Sequence, residues 1–247
     1  MAIVQTITQT ADPSDFCLPL ESMGYSIRRY YIDAFFMSHI PGLEPTSVVL
    51  DLGGNKSQKR GAFNIGEFDL EVIYLNVSIE KKPDVRADAL QLPFKDCSFD
   101  AVICAEVYEH LYKPDLALNE MYRVLKPGGK IFLTIPFLVA VHSDPHDYGR
   151  YTEMYWSKKL PECGFDNILI ERQGLFFSTV VEHIKHYIHK IETRFLPKRW
   201  IVSILPSIQR WAIRRDQQPG SKDNGYLNNF TLGYGINAVK PRVEPIG

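Results

Sequence analysis

The sequence predicts an α/β protein with a mostly parallel sheet and helices on both faces of that sheet. From about residue 46, short apolar runs alternate with helical patterns, as in parallel strands joined by crossover helices. The chain has 247 residues, of which 45% are hydrophobic and 23% charged. It therefore has the composition of a globular protein and is long enough to bury a full core.

Six apolar, β-branched runs are predicted to be strands, because strands buried inside a parallel sheet have this composition. They are residues 47–52, 72–77, 99–104, 130–135, 167–172 and 234–240. A helix is predicted over 113–125, where apolar residues share one helical face. The run Lys126-Pro127-Gly128-Gly129 predicts the end of that helix and a turn.

Two segments lie outside this alternation. Residues 1–45 contain one helical pattern, at 26–39, and are predicted to form an N-terminal helical extension. Residues 46–247 are predicted to form the main domain, with 175–225 inserted as a helical cap. In the cap, Val181, Ile184 and Ile188 begin an apolar helix face, and Pro197 precedes a second amphipathic piece.

The net charge of −1 hides an uneven distribution of charge. Between Glu182 and Arg215 there are eight basic and two acidic residues, so this segment carries +6 and the rest of the chain −7. The small net charge argues against a nucleic-acid partner bound through bulk positive charge. A metal site at His183, His186 and His189 is disfavoured because no carboxylate or cysteine completes it, and two interpretations of the basic segment stay open. It is either a solvated helix face or, at 197–215, an interfacial element for anionic lipid or lipid-linked glycan.

Four scattered cysteines include no CxxC pair and no Cys/His cluster. This pattern argues against a disulfide framework and a structural zinc site, and no metal is expected. The N-terminus lacks the basic and apolar regions of a secretory signal, and no apolar stretch reaches membrane-spanning length. We expect a cytoplasmic protein, at most peripherally attached to a membrane.

The first predicted strand ends in Asp51-Leu52-Gly53-Gly54-Asn55. An acid at a strand end, followed by a glycine-rich turn, lets a ligand approach the backbone at the carboxyl edge of an open sheet. A tight turn without a ligand explains the pattern equally well. Further motifs are therefore needed to distinguish a ligand site from a plain turn. In chain order these are Asn76, RADALQLPF at 86–94, SFDAV at 98–102, CAEVYEHL at 104–111 and YRVLKPGGK at 122–130.

Together these motifs resemble class I S-adenosylmethionine-dependent methyltransferases over residues 46–175. The resemblance implies a Rossmann-like sheet of seven strands, the last of them antiparallel, and S-adenosylmethionine as cofactor. It also implies which residues contact that cofactor. These are Asp51, Leu52, Gly53, Gly54 and Asn55 beside the methionine part, Asn76 at the ribose, Asp88, Ala89 and Leu90 at the adenine, and Ala105 and Glu106 beside the substrate mouth.

Two positions depart from the family pattern. Asn55 stands where the family usually has a second glycine, and Asn76 where it usually has an acid that bridges the ribose hydroxyls. Asparagine tolerates positive φ, so the turn is expected to survive. An amide in place of the acid exchanges charge-assisted hydrogen bonds for neutral ones, which are roughly half as strong. Weaker cofactor binding is therefore expected.

The segment at 142–152 follows the strand at 130–135 and is rich in histidine, aspartate and tyrosine. His142 and His146 are the candidate bases, because imidazole exchanges protons near neutral pH. Asp147 would orient a histidine or act as the base, and Arg150, beside Tyr151, would bind an acidic substrate group. The alternative is that Asp147, Arg150 and Tyr151 form a salt-bridged cap on the next helix. A similar run occurs in methyltransferase-like proteins encoded with bacterial polysaccharide biosynthesis enzymes.

The sequence therefore predicts methyl transfer from S-adenosylmethionine to a small-molecule or glycan acceptor, at a hydroxyl group. The alternative function is a non-catalytic binding module in glycan assembly that keeps the methyltransferase fold, an alternative that Asn55 and Asn76 favour. A nicotinamide-dependent dehydrogenase would require a GxGxxG turn, which this chain lacks.

Overall fold

The computed structural model describes residues 2–8, 26–56, 61–142, 146–190 and 198–242. Within these ranges eight strands form one sheet: β1 (Val4–Thr8), β2 (Ser47–Leu52), β3 (Leu70–Asn76), β4 (Val85–Arg86), β5 (Phe99–Ala105), β6 (Leu125–Pro136), β7 (Asp166–Gln173) and β8 (Gly233–Val239). The α-helices of the same ranges are α1 (Ile27–His39), α2 (Pro114–Val124), α3 (Glu153–Glu162), α4 (Phe176–Lys190), α5 (Lys198–Gln217) and α6 (Pro219–Lys222).

The strand order across the sheet is β1-β7-β8-β6-β5-β2-β3-β4. Strand β8 runs antiparallel to both of its neighbours, β6 and β7, and the other described pairs are parallel. The α/β class and the antiparallel last strand are confirmed. The count of seven strands is wrong, because the described residues form eight.

The additional strand is β1, at the edge of the sheet. It pairs parallel with β7, with Val4 opposite Ile168 and Thr8 opposite Arg172. Residues 1–45 were expected to contribute only a helix, and α1 is indeed present. The short run VQTIT is nevertheless rich in β-branched residues, which favour strands. An edge strand is paired on one side only, so its sequence carries a weaker signal than the central strands do.

The passage from α2 to β6 differs from the expected helix stop and turn. The helix ends at Val124, and β6 begins at the next residue, so Pro127, Gly128 and Gly129 lie inside a strand. Gly128 has φ +85°, and the pairing of β5 with β6 shifts register in this region. The glycine provides the left-handed backbone that an irregular strand requires.

The two faces of the sheet carry separate hydrophobic clusters, because successive residues of a strand point to opposite sides. Leu50 of β2 packs on one face with Met121 of α2. Its neighbour Val49 packs on the other face with Phe35 and Phe36 of α1. The helices α1 and α2 therefore cover opposite faces of the sheet.

The helices of the predicted cap pack against α1. Val181 of α4 and Ala212 and Ile213 of α5 form a buried cluster with Ile27 and Tyr30. None of the helices in the described ranges has both the length and the apolar character needed to cross a membrane. Pro197 lies outside the described residues, and the division into 1–45, 46–247 and a 175–225 cap stays a prediction.

Two buried carboxylates fix this arrangement by capping helix N-termini, where backbone N–H groups lack partners within the helix. Glu182 of α4 accepts a hydrogen bond from the N–H of Ile27 at 3.0 Å. Asp216 of α5 accepts hydrogen bonds from three N–H groups at the start of α4, those of Leu175, Phe177 and Ser178.

Candidate active site

The carboxyl edge of the sheet offers a candidate ligand crevice at the point where strand order reverses. Strands β3 and β4 are added on one side of β2, and β5 and β6 on the other. Ligands of open α/β sheets bind at such a point. Asp51 near the end of β2, Asn76 at the end of β3 and Glu106 directly after β5 therefore border one crevice.

The turn after β2 is packed so closely that two of its positions require glycine. Gly53 has φ +83°, and a Cβ there would lie 2.3 Å from Cγ2 of Val107. A Cβ on Gly54 would lie 2.4 Å from Oδ2 of Asp51. Asn55 is not among the positive-φ residues of the described chain. The turn thus tolerates this departure because its left-handed residue is Gly53, not because asparagine adopts positive φ.

Asp51 is partly shielded from water beside this turn, and burial raises the pKa of Asp51 to about 7. In the part of the chain that the structure describes, no cation forms a salt bridge with its carboxylate. A carboxylate in such surroundings is stabilised by a positively charged group. The glycine cradle and this carboxylate therefore fit the methionine part of S-adenosylmethionine, which carries an ammonium group.

Asn76 holds the glycine turn in place with its side-chain amide. Nδ2 donates to the backbone oxygens of Gly53 at 2.9 Å and Gly54 at 3.1 Å, and Oδ1 accepts from the N–H of Ser78 at 3.0 Å. Both amide hydrogens are thus used within the protein. A contact with ribose, as the resemblance implies, is left to the second lone pair of Oδ1.

The residues expected at the adenine lie in a turn after β4. Asp88 is exposed, and its Oδ1 accepts a hydrogen bond from the N–H of Leu90 at 3.0 Å. Ala89 is buried, as is Leu52 in the glycine motif. These two apolar residues therefore offer a ligand their backbone and not their side chains.

A residue of the RVLKPGG motif fixes the segment that follows this turn. Arg123 of α2 donates to the backbone oxygens of Leu92 at 3.1 Å and Phe94 at 2.8 Å. Glu120, which forms a salt bridge with Arg123, accepts from the N–H of Leu92 at 2.8 Å. The LPF and RVLKPGG motifs, joined by contacts across 29 and 31 residues, thus together fix the segment that follows the Asp88 turn.

Glu106, at the expected substrate mouth, has a strained backbone and a fixed side chain. Its φ is +53°, a left-handed conformation that costs a residue with a Cβ about 1–2 kcal/mol. Arg28 donates to its carboxylate from Nε, at 3.2 Å to Oε2, and from Nη2, at 2.5 Å to Oε1. Strain of this kind is found at functional sites.

Arg28 belongs to α1 and was not among the predicted site residues, because the recognised motifs begin at residue 46. The arginine is buried, and its Nη1 also donates to Gln173 at the end of β7. A Cβ on Gly233 of β8 would lie 2.6 Å from Cζ of Arg28, so the glycine leaves room for the guanidinium. The available signal was the pair Arg28-Arg29 between the apolar residues Ile27 and Tyr30, and it does not show which arginine is buried.

In the 142–152 segment, of which 143–145 lie outside the described residues, Asp147 is the centre of a polar group. It accepts hydrogen bonds from Nη1 and Nη2 of Arg150, at 2.5 and 2.6 Å, and from the backbone N–H of His142 at 2.9 Å. The Arg150 bonds above all lower the pKa of Asp147. Asp147 therefore orients His142, whose Nδ1 lies 3.5 Å from Oδ2.

The structure separates the second candidate base from this group. His146 has an exposed side chain whose ring lies beside that of Tyr148, with 5.5 Å between centroids. Its backbone oxygen faces Nδ1 of His110 at hydrogen-bonding distance. Of the two candidates, His142 is the histidine that Asp147 holds.

The end of the segment leads into α3, and a cap on that helix formed by Asp147, Arg150 and Tyr151 stays a prediction. Oγ1 of Thr152 caps α3 by accepting from the N–H of Tyr155. Tyr151 packs edge-to-face on Tyr108, with 5.2 Å between ring centroids. The substrate contacts expected of Arg150 and Tyr151 stay predictions.

Glu109, from the EHL run, lies behind His142 and is fully buried. Burial, followed by the negative charge of Glu106, raises the pKa of Glu109 well above its ordinary value. Its Oε1 lies 3.6 Å from Nε2 of His110 and 3.8 Å from Nε2 of His142. The EHL run therefore contributes polar groups beside the candidate base, in addition to any structural role.

Residues 29–133 match the family model described as "Methyltransferase domain". The match runs from α1 to β6 and includes every recognised motif from the glycine turn to RVLKPGG. Among curated relatives, demethylmenaquinone methyltransferase of Renibacterium salmoninarum is 33% identical over 132 residues, which is 52% of this chain and 52% of that protein. The ubiquinone/menaquinone biosynthesis C-methyltransferase UbiE of Vibrio vulnificus is 34% identical over 140 residues, 50% of this chain and 52% of that protein. The chain thus spans about half the length of these relatives.

Solved structures share the fold over most of the chain. A SAM-dependent methyltransferase from Archaeoglobus fulgidus matches with a TM-score of 0.53 and 20% identity, covering 86% of this chain and 94% of its own. The [4+2]-cyclase SpnF matches with a TM-score of 0.55 and 18% identity, covering 97% and 99%. Residues 29–133 of this chain thus match a methyltransferase domain by sequence, and the solved structures show a shared fold.

Proposed function

We propose that this chain is an S-adenosylmethionine-dependent methyltransferase that acts on a hydroxyl of a small-molecule or glycan acceptor. The observation that carries the proposal is the cradle formed by Gly53 and Gly54 beside the half-buried carboxylate of Asp51. The match to the methyltransferase domain supports it independently. S-adenosylmethionine, when bound, supplies a methyl group attached to a positively charged sulfur.

Each part of the crevice has a separate task in this proposal. Asp51 attracts the ammonium group of the cofactor, while the glycine turn, held by Asn76, lets the cofactor contact the backbone. Asp88 accepts a hydrogen bond from the adenine amino group. Glu106, fixed by Arg28, forms the wall between the cofactor and the acceptor.

The acceptor enters beside His142 in this proposal. Efficient transfer requires the acceptor oxygen in line with the methyl group, at about 3–3.5 Å. With the cofactor bound, Nε2 of His142 would take the proton that the acceptor hydroxyl loses on methylation. Asp147 stabilises the protonated ring, because its carboxylate lies beside Nδ1.

The acceptor is proposed to be anionic or attached to a membrane, with the enzyme in the cytoplasm and peripheral to that membrane. The segment from Glu182 to Arg215 carries +6. On α5, Ile204, Ile208 and Trp211 are exposed and follow helical spacing, so they share one face. Exposed apolar side chains within a basic segment suit an anionic lipid surface. An association with polysaccharide synthesis is part of this proposal.

A binding module without methyl transfer is the second candidate. It is favoured by Asn76, whose amide hydrogens are bonded within the turn where the family has an acid for the ribose. The relatives named for menaquinone and ubiquinone synthesis suggest a quinone acceptor instead of a hydroxyl, but the similarity covers only about half of each.

Calorimetric titration with S-adenosylmethionine and S-adenosylhomocysteine tests the proposal. Saturable binding of both is expected, and Asp88→Ala should weaken it about tenfold or more, the value of one hydrogen bond to a charged group. Asp69→Ala is the control, because Asp69 is exposed just before β3, at the opposite edge of the sheet. No heat at millimolar cofactor would exclude methyl transfer. Binding without transfer to any glycan or small-molecule hydroxyl would favour the second candidate.

A further inference from the structure

Three potential metal ligands converge beside the crevice. Glu109 and His110 come from the short helical turn at Tyr108–His110, and His142 comes from the segment after β6. Oε1 of Glu109 lies 3.6 Å from Nε2 of His110 and 3.8 Å from Nε2 of His142. One ligand atom from each of the three residues lies within 4.8 Å of the other two.

The carboxylate of Glu109 lacks the partners that a buried acid needs. The side chain is fully buried, and within the described residues neither oxygen accepts a hydrogen bond. Buried polar atoms are nearly always paired, so an unpaired carboxylate calls for a physical explanation. A cation between this carboxylate and the two imidazoles would provide one.

Both imidazoles are oriented as in metal sites. Nδ1 of His110 faces the backbone oxygen of His146. Nδ1 of His142 lies 3.3 Å from the backbone oxygen of Ala140 and 3.5 Å from Oδ2 of Asp147. An Nδ1 that faces oxygen acceptors carries the proton, which leaves the lone pair of Nε2 free to bind a metal. In both rings that Nε2 is the atom nearest Glu109.

We propose that Glu109, His110 and His142 bind a first-row transition-metal dication of the zinc type. Two imidazoles and one carboxylate form a ligand set of catalytic zinc sites, in which a further position stays open. Magnesium prefers oxygen ligands and is not expected to bind. Bonds of about 2.0–2.2 Å would separate the ligand atoms by roughly 3.0–3.5 Å, so the two contacts of Glu109 need to shorten only slightly.

This metal site does not depend on the proposed methyl transfer, although it bears on it. A metal bound to Nε2 of His142 leaves no lone pair there for the acceptor proton. If the proposed methyl transfer holds, the open position would take the acceptor oxygen, and the dication would lower the pKa of that oxygen so that its proton passes to water.

The test is a zinc titration of the full chain, without an affinity tag, after treatment with a chelator and desalting. One equivalent of zinc should bind by calorimetry, and cobalt should give the visible absorption of a site with nitrogen and oxygen ligands. Glu109→Gln and His142→Ala should each weaken zinc binding at least about tenfold, as losses in metal sites generally do. His146→Ala is the matched control, because its exposed ring lies in the same segment and outside the cluster.

Two results would contradict the proposal that Glu109, His110 and His142 bind zinc. One is the absence of saturable zinc binding, and the other is binding that both Glu109→Gln and His142→Ala leave unchanged. If His142→Ala fails to fold by circular dichroism, the nearly isosteric Glu109→Gln decides. Neither cofactor nor acceptor is present, so the result is separate from methyl transfer. Asp88→Ala should keep zinc binding while it weakens cofactor binding.

Discussion

Arg28 and Glu106 form a two-point ion pair across 78 residues of sequence. Their side chains are only 8% and 20% exposed. Removal of one partner from a buried pair leaves the other charge unpaired, which costs about 3–5 kcal/mol. We expect Arg28→Ala to lower the free energy of unfolding by that amount in urea denaturation, and to weaken binding of S-adenosylhomocysteine as Glu106 loses its fixed position.

The control for this prediction is Lys126→Ala. Lys126 forms a salt bridge of 2.8 Å with Asp100, but the two side chains are 40% and 35% exposed. Exposed pairs contribute about 0–1 kcal/mol. Equal losses of stability in the two variants would contradict the assigned role of Arg28.

Replacing Asn76 with aspartate introduces the acid that the family usually has, yet we expect it to weaken cofactor binding. Two donated hydrogen bonds would be lost, and a carboxylate would face the backbone oxygens of Gly53 and Gly54. The unfolding free energy should fall by about 1–3 kcal/mol. Calorimetry with S-adenosylhomocysteine and urea denaturation measure the two effects.

Asn224→Asp is the matched control, because Oδ1 of Asn224 accepts from the N–H groups of Tyr226 and Leu227, which a carboxylate accepts equally well. That variant should keep wild-type stability. If Asn76→Asp binds S-adenosylhomocysteine more tightly than wild type, the prediction is wrong. An acid–ribose contact would then contribute more to affinity than the hydrogen bonds of Asn76 to the glycine turn.

Asp51 should make the stability of the cofactor-free protein decrease with pH. Burial raises the pKa of Asp51 from 3.8 to about 7, so the folded chain holds the proton more tightly than the unfolded chain. This contribution to stability is complete below pH 3.8 and is lost as the pH rises through about 7. In urea denaturation at pH 5 to 8, the stability of Asp51→Asn relative to wild type should rise with pH. The exposed Asp69→Asn should instead follow wild type, and a difference independent of pH for Asp51→Asn would refute the prediction.

The proposed lipid contact of α5 should depend on its exposed apolar residues and on salt. Ile204→Ser and Ile208→Ser should each reduce sedimentation with anionic vesicles about fivefold, for a loss of roughly 1 kcal/mol of apolar burial. High salt should reduce it further. Ile79→Ser changes an isoleucine that is 68% exposed elsewhere and should have no effect. If salt and both α5 variants leave sedimentation unchanged, the contact is absent.

The central strands could be predicted from sequence because burial on both faces selects continuous apolar, β-branched runs. Strand β2 has the predicted bounds, Ser47–Leu52, and β5 extends one residue past its predicted end. Strand β1 was missed because an edge strand is paired on one side only, so its residue composition is less constrained than that of a central strand. The start of β6 was missed because Pro127 and two glycines are typical of turns, and the register shift that accommodates them is a property of the pairing with β5.

The cofactor-contacting residues could be proposed from sequence because their motifs are local, each at the end of one strand. The other contacts join distant segments. Arg28 reaches Glu106 only because α1 packs across the sheet, and Glu109 meets His142 only because the segment after β6 turns back over the EHL run. No spacing rule in the sequence connects such residues. The expectation that no metal binds was therefore made without the knowledge that Glu109 and His142 lie together.

The position of β8 has a consequence for protein synthesis. It lies between β6 and β7, so a nascent chain that lacks it has a gap in the sheet between Glu106, after β5, and Gln173, at the end of β7. Arg28 joins these two residues and rests against Gly233 of β8. A ribosome-bound chain of 200 residues would contain every recognised motif and still lack the assembled crevice. In the proposed function, cofactor binding therefore requires that β8, which ends at Val239, has left the ribosome.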